Sequence, residues 1–474
     1  MNNKSEGKRS NNGNSTGKSC RDCGKSDNVA GADNKELQSK KQPESTLHYT
    51  TEDALKFHEK QRGKIGLLIK VPVQTRLDLS LAYTPGVAEP CKVIHAEEIM
   101  EKKSGQEYSY SAVNKYTARG NTVAVVSDGT AVLGLGDIGP RAGLPVMEGK
   151  SLLFKRFANI DSYPLCLDTK DPDKLVEIIA ALEPSFGGIN MEDISAPRCF
   201  YIEEKAQERM NIPVFHDDQH GTAVVVNAAL KNALSLVNKK FNEVKVVING
   251  AGSAGLAISK LLYSRGVRNI ILCDKWGAIT TSSKEANPYQ IEMTKLVNPE
   301  NYEGDLKGAM KGADVFIGVS VANIVNKEMV QGMQKDAVVL AMANPVPEIM
   351  PELAKEAGAR IVCTGRSDFP NQVNNVMGFP GIFRGALDVC ARRITYDMKI
   401  AAADALASVI KDELDYDKVL PSPLDPRIVP SVALAVAKKA CETGVARLKF
   451  DRELILKNLE PVNELASSLL KNGQ

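Results

Sequence analysis

Apolar and polar positions follow different rhythms in successive parts of the chain. Residues 1–45 are rich in Asn, Ser, Lys and Gly and nearly free of large apolar side chains, so the segment reads as a disordered polar tail. Residues 50–62 (TTEDALKFHEKQR) read as a capped helix with an acidic first turn, and 70–90 as a region punctuated by Pro and Gly. From Asn121 onward, short apolar runs alternate with helical periodicity. TVAVVS (122–127) is a buried strand, 147–157 is helical with apolar residues at 152, 153, 154 and 157, and 173–182 is a further helix leading to the turn FGGINMED (186–193). Residues 221–238 predict a long helix, apolar on several faces, at a domain hinge. The runs KVVIN, NIILCD, DVFIGV, AVVLAMANP and RIVCTG then read as strands between 245 and 365. Beyond Asp397 the pattern is helical, and Pro461 should separate 454–459 from 462–470.

Strands and helices alternating in this way predict an α/β fold built on parallel sheets. The expected organisation is an N-terminal α/β substrate and metal domain over 46–222 and a Rossmann-type, doubly wound domain over 223–440. A helical segment over 441–474 follows.

The strand at 244–249 runs into Gly250-Ala251-Gly252-Ser253-Ala254-Gly255, and a helix over 256–266 is expected next. In a dinucleotide turn the first glycine permits the bend and the second admits the pyrophosphate. The third lets helix and strand pack closely, with the helix N-terminus facing the phosphate. Asp274 closes the following strand, where a carboxylate can bond a ribose hydroxyl and disfavour a 2′-phosphate. Lys275 follows directly and can accept that phosphate, so NAD is favoured and NADP stays open. Gly134–Gly139 repeats the same glycine spacing, but Pro140, Gly143 and Pro145 are expected to forbid an immediate helix. That copy reads as a loop beside the substrate.

Acidic residues collect where strands should end: Glu192-Asp193, Asp217-Asp218 and Asp137. Neighbouring side chains on a strand point to opposite faces, so Glu192 and Asp193 can share one ion only if the chain bends there. Oxygen ligands of this kind suit Mg²⁺ or Mn²⁺, with solvated loop acids as the alternative. Lys150, expected just inside a helix start in an apolar setting, would titrate low enough near a metal to act as a general base, unless it is a surface lysine. Tyr83, in a Pro/Gly loop, is either a packing ring or a proton donor. His216 and His220 have helical spacing, but beside so many carboxylates they are read as secondary metal candidates.

Composition narrows the class. Sixty Lys+Arg against 58 Asp+Glu leave a formal charge of +2, which gives no electrostatic reason to expect nucleic acid or membrane as a partner. One Trp and 5% aromatics argue further against a base-stacking surface. Nine scattered cysteines fit a reduced compartment, with Cys20 and Cys23 forming a lone CxxC inside the polar tail. No stretch approaches the ~20 uninterrupted apolar residues of a membrane helix, and no secretory pattern is present, so the cytoplasm is the expected location.

Taken together these residues resemble the malic enzymes, specifically the short bacterial type. The resemblance runs from about Lys56 to Leu459 and rests on SLAYTPGVAEPC, KYTARGNTVAVVSDGTAVLGLGDIGP, LPVMEGKSLLFKRF, FGGINMEDISAP, PVFHDDQHGTA, GAGSAG, ANPVPE and NNVMGFPGIFRGAL. It implies an NAD(P)-dependent malate dehydrogenase (decarboxylating) that converts (S)-malate to pyruvate and CO₂, and a homodimer. By the same resemblance Lys150 is the general base and Tyr83 the general acid, while Glu192, Asp193 and Asp218 hold the divalent ion. Asn344 and Asn375 match the asparagines that contact cofactor and substrate. One departure is Ala131, where larger animal-type relatives carry an arginine that clamps the malate carboxylate. Long relatives with an acetyltransferase-like extension run past the position of Gln474. The alternatives are a metal-assisted hydroxyacid dehydrogenase that stops at the keto acid, and a non-catalytic nucleotide-binding protein.

Overall fold

The computed structural model describes residues 73–471 continuously and, before them, Thr50, Glu52, Ile65, Gly66 and Lys70. The polar tail, the Cys20/Cys23 pair and nearly all of the helix expected over 50–62 lie outside the described residues. A short helix, α1 (Arg76–Ala82), and a longer one, α2 (Ala88–Ser104), come ahead of the first sheet. A reciprocal cap between Thr75 and Asp78 starts α1, which buries no residue at all.

A four-stranded parallel sheet follows, made of β1 (Thr122–Ser127), β2 (Asp161–Cys166), β3 (Gly188–Met191) and β4 (Val214–His216) in the order β2-β1-β3-β4. The helices α3 (Pro140–Ala158), α4 (Pro172–Ala181) and α5 (Arg198–Arg209) connect these strands. Every residue of β1 is buried, which explains why its sequence is a continuous apolar run and not an alternation.

The long helix α6 (Asp217–Leu236) leaves β4 and leads to the second sheet. Its strands are β5 (Lys245–Asn249), β6 (Asn269–Asp274), β7 (Gly277–Ala278), β8 (Val315–Gly318), β9 (Val338–Ala341) and β10 (Ile361–Thr364). Their order is β10-β9-β8-β5-β6-β7, parallel except for the two-residue β7. Read from β7 this is the doubly wound dinucleotide-binding order, and it reverses direction between β5 and β8. The helices α7 (Ser253–Ser264) and α8 (Pro288–Thr294) belong to its first half. After the second sheet come the helices α9 (Phe379–Asp388), α10 (Tyr396–Ser408), α11 (Ile428–Glu442), α12 (Arg452–Leu459) and α13 (Glu464–Lys471).

The helix α9 is buried along its whole length and supplies the aromatic centre of the first sheet. Phe379 and Phe383 meet Phe154 of α3 edge-on at 4.7 and 5.2 Å, and Phe383 meets Phe215 of β4 at 5.6 Å. Arg384, 2% exposed, anchors α9 by donating from Nε to Asp388 at 2.9 Å and from Nη1 to Asn121 at 2.5 Å. Asn458 of α12 donates to the same Asp388 at 2.8 Å.

Helix starts differ from expectation in one direction. The helix expected from residue 147 begins at Pro140, directly after the second glycine repeat, so Pro140, Gly143 and Pro145 do not forbid it. Pro140 sits where a helix needs no N–H bond and where its fixed φ helps, and the burial of Met147, Lys150 and Phe154 offsets the bond that Pro145 removes. Lys150 is therefore in the middle of α3, not at its start. What separates this copy from a cofactor turn is the length of chain between β1 and α3. Likewise α6 begins at Asp217 and α7 at Ser253, both ahead of the expected 221 and 256, because packing overrides the low helix propensity of Gly221 and Gly255.

The Phe383→Ala variant should lose about 3–5 kcal/mol of stability, as for other buried aromatics. Urea unfolding followed by circular dichroism measures this; a loss below ~1 kcal/mol would show that α9 does not hold the first sheet together.

Candidate functional site

The carboxyl ends of β3 and β4 bring the acidic residues together. Glu192 follows β3, and its N–H still bonds Val126 O of β1 at 2.9 Å. The chain then turns sharply at Asp193, which adopts φ +54°, a left-handed conformation that Asp tolerates better than most residues. This is the bend that lets two adjacent acids face one place. Asp218 enters from the first turn of α6, where its charge complements the helix dipole, and its Oδ2 accepts the N–H of Asp193 at 2.8 Å. Ligand oxygens of Glu192, Asp193 and Asp218 all lie within 4.8 Å of one another, the one such grouping found among the described residues.

Lys150 reaches this cluster from α3. Its Nζ lies 2.6 Å from Asp217 Oδ2 and 2.9 Å from Glu192 Oε1, and 4.2 Å from the centroid of Phe379. Asn375 Nδ2 also donates to Asp217 Oδ2, at 2.6 Å, and Asn190 Nδ2 donates to Glu192 Oε2 at 2.9 Å. Asn375 is thus built into the lysine end of the site. Asn344 stands elsewhere, exposed just beyond β9, with its carbonyl closing on Gly134 of the glycine-rich loop.

Burial pulls the Lys150 pKa down, but Asp217 and Glu192 outweigh it and hold the ammonium above the ordinary lysine range. The low titration expected of this lysine is tied to a nearby metal; without one, Glu192 just after β3 and Asp217 at the start of α6 hold its proton. The acids shift upward too, Glu192 and Asp217 to about 7 and Asp218 to about 6, chiefly because burial penalises their charge and the single lysine only partly relieves it. Both directions follow from one fact. One buried cation cannot neutralise several buried carboxylates, so the lysine keeps its proton and the acids compete for others.

Other expected residues fall outside the cluster. Asp137 is half exposed and pairs with Lys170 at 2.6 Å. His216 and His220 are buried, and burial pushes both down to about 4, so they are neutral. His220 Nε2 pairs with Glu203 at 2.9 Å, and Glu203 also accepts from the His216 N–H at 3.1 Å and from Gln219 at 3.1 Å. Glu203 of α5 therefore clamps the first turn of α6, just where Asp217 and Asp218 are attached. Tyr83 is 68% exposed at the end of α1, in company with exposed Leu77, Leu79 and Leu81. Ala131 donates its N–H to Asp193 O at 2.9 Å, which fixes the loop after β1 against the acidic turn. Asp217 as the lysine partner, Asn190 and Glu203 were not assigned from sequence; the HDD doublet was the one signal for the first, and the others carry none.

The Gly250–Gly255 turn has the form its spacing predicted. Gly250 adopts φ +104°, and a Cβ on Gly255 would stand 2.0 Å from Gly250 O, so neither position accepts a side chain. Nothing lies within 4 Å of the Cβ position of Gly252, leaving open space in front of the N-terminus of α7. Asp274 ends the neighbouring strand β6. These features fit a pyrophosphate and ribose.

Comparison with known proteins agrees with both halves. The family model described as the malic enzyme N-terminal domain matches residues 62–207, and the malic enzyme NAD binding domain model matches 219–441. A bifunctional malic/malolactic enzyme of Bacillus subtilis is 57% identical over 404 residues, covering 85% of this chain and 96% of the relative. An NAD-dependent malic enzyme of Geobacillus stearothermophilus is 55% identical, over 81% of this chain and 78% of its own. An NADP-dependent malic enzyme of Escherichia coli is 49% identical, over 83% of this chain and 53% of its own. The crystal structure of malic enzyme from Pyrococcus horikoshii superposes with a TM-score of 0.82 at 46% identity, covering 89% of this chain and 97% of that one.

Because Glu192 and Asp218 hold protons near pH 6–7 and a divalent ion binds their ionised forms, Mn²⁺ should bind more tightly at pH 8 than at pH 6 and release protons at pH 6. Calorimetric titration in buffers of different ionisation enthalpy reads both quantities. Equal proton release at the two pH values would contradict the assignment.

Proposed function

As the chain belongs to the malic enzyme family, we propose that it catalyses metal-dependent oxidative decarboxylation of (S)-malate to pyruvate and CO₂ with reduction of NAD(P)⁺. The supporting observation is a buried lysine bonded to Glu192 and Asp217 beside a three-carboxylate cluster. Hard oxygen donors and a surplus of buried negative charge fit Mg²⁺ or Mn²⁺, held by Glu192, Asp193 and Asp218. When bound, the ion would supply a Lewis acid for the C2 oxygen and for the charge developing as CO₂ departs, and the dinucleotide would supply the hydride acceptor.

Lys150 takes the hydroxyl proton of malate. Asp217 and Glu192 favour the charged form of that lysine while no ion is bound; an ion that takes up Glu192 would leave Asp217 as its close counter-charge and bring its pKa down toward use as a base. Asn375 steadies Asp217, and through it the position of Nζ. Tyr83 delivers the proton to C3 once the segment carrying it covers the site; the exposed Leu77, Leu79 and Leu81 around it favour a homodimer as the working assembly. Asp274 favours NAD over NADP. Seven free cysteines among the described residues suit a reducing cytoplasm, and no described helix is long and apolar enough to cross a membrane.

Malate with Mn²⁺ should yield CO₂ and NAD(P)H in equal amounts, with EDTA abolishing turnover and Mn²⁺ restoring it. Reduced cofactor without CO₂ would favour the dehydrogenase that stops at the keto acid. Lys150→Ala and Tyr83→Phe should each lower kcat by ~10²–10⁴-fold. Lys150→Ala also strips the cluster of its cation, so it should melt earlier in EDTA than in Mn²⁺. Near-parental turnover in either variant would remove that residue from its role.

A further inference from the structure

The side chain of Gln290 occupies an unusual place between the two halves of the dinucleotide turn. Its Oε1 accepts the N–H of Asn287 at 2.9 Å, and its own N–H bonds Asn287 Oδ1 at 3.1 Å, so the start of α8 fixes which end of the amide is which. The Nε2 group then faces two acceptors. One is the carbonyl of Ala251, in the phosphate turn, at 2.9 Å; the other is Asp274 Oδ2 at 3.2 Å. Flipping the amide would set three oxygens against one another, so the orientation is determined by the bonds themselves. Gln290 is 5% exposed. The second oxygen of Asp274 accepts the N–H of Lys275 at 2.8 Å, so the carboxylate is held from both sides at the end of β6.

Lys275 was the residue that left NADP open. Its Nζ lies 4.7 Å from the centroid of the Trp276 ring, which is 52% exposed, so the ammonium rests on an aromatic face. A 2′-phosphate entering beside Asp274 would meet a fixed negative charge, and the adjacent cation would have to leave its ring to help.

We propose that Gln290 and Trp276 set the choice of dinucleotide. Gln290 is a positioning residue that aims Asp274 at a free 2′-hydroxyl while tying it to the phosphate turn, and Trp276 keeps Lys275 from serving a 2′-phosphate. The proposal rests on the reading of Gly250–Asp274 as the cofactor site, and it deepens that reading by making NAD⁺ the preferred substrate for a stated reason.

Trp276 is the single tryptophan of the chain, so its emission reports on this site directly. Titrating the parent with NAD⁺ and NADP⁺, without malate or metal, should give the tighter constant for NAD⁺. In Gln290→Leu the NAD⁺ constant should weaken about tenfold and the NADP⁺ constant far less, the size expected for losing a hydrogen bond to a charged group. In steady-state assays with malate and Mn²⁺ that loss should fall on KM for NAD⁺ and not on kcat. Trp276→Ala, at an exposed position, should raise kcat/KM for NADP⁺ about threefold, and adding Lys275→Ala should cancel the gain. A parent that prefers NADP⁺, or a Gln290→Leu protein weakened equally toward both dinucleotides, overturns the proposal. So does a Trp276→Ala protein with the parental ratio. Failure to bind either dinucleotide, with no malate-dependent reduction, would instead show that the cofactor site itself was misread.

Discussion

The site is governed by an imbalance of buried charge. Glu192, Asp193 and Asp217 are buried and Asp218 adjoins them, while among the described residues Lys150 pairs with two of the group, Glu192 and Asp217. Removing an ion from water costs several kcal/mol even after relaxation, and an unpaired one costs the most. The surrounding structure reads as a set of partial remedies. Asn190 and Asn375 supply neutral donors, the N-terminus of α6 supplies a positive dipole end beneath Asp217 and Asp218, and the N–H of Asp193 bonds Asp218. None of these supplies a full positive charge, which is what makes the cluster suited to a divalent cation.

Much of the fold could be read from the residues because parallel strands covered on both faces must be continuously apolar. KVVIN, NIILCD and RIVCTG announced themselves in this way, and the buried strands β5, β6 and β10 lie where they were expected. The places where reading failed have a common cause: the deciding partner lies far away in sequence. Pro140 and Pro145 look like breakers until the core behind Met147 and Phe154 is known. The partner of Lys150 cannot be named until Asp217 is found 2.6 Å away. Glu203 gives no motif at all, yet it holds the turn that presents two of the acids. Tyr83 carries no packing signal of its own, since α1 buries none of its residues.

The helix α6 joins the two chemistries. It begins with Asp217 and Asp218, is buried along most of its length, and packs along α7, whose own N-terminus forms the phosphate turn. Acidic cluster and cofactor turn therefore sit at the ends of two helices in direct contact. A dense interface of this kind resists compression and holds relative position well, which suits a reaction that must align a hydride donor with its acceptor.

The late arrival of α9 bears on how such a chain is made. Phe154 and Phe215 leave the ribosome long before Phe379 and Phe383, the rings they pack against. Until that helix emerges, the core of the first sheet lacks two of its rings, and the apolar surface they cover has no partner. The half that carries the acidic cluster is thus translated first and consolidated last. A core completed by so distant a segment has long-range contacts to close, the kind that slow folding and lengthen the exposure of apolar surface.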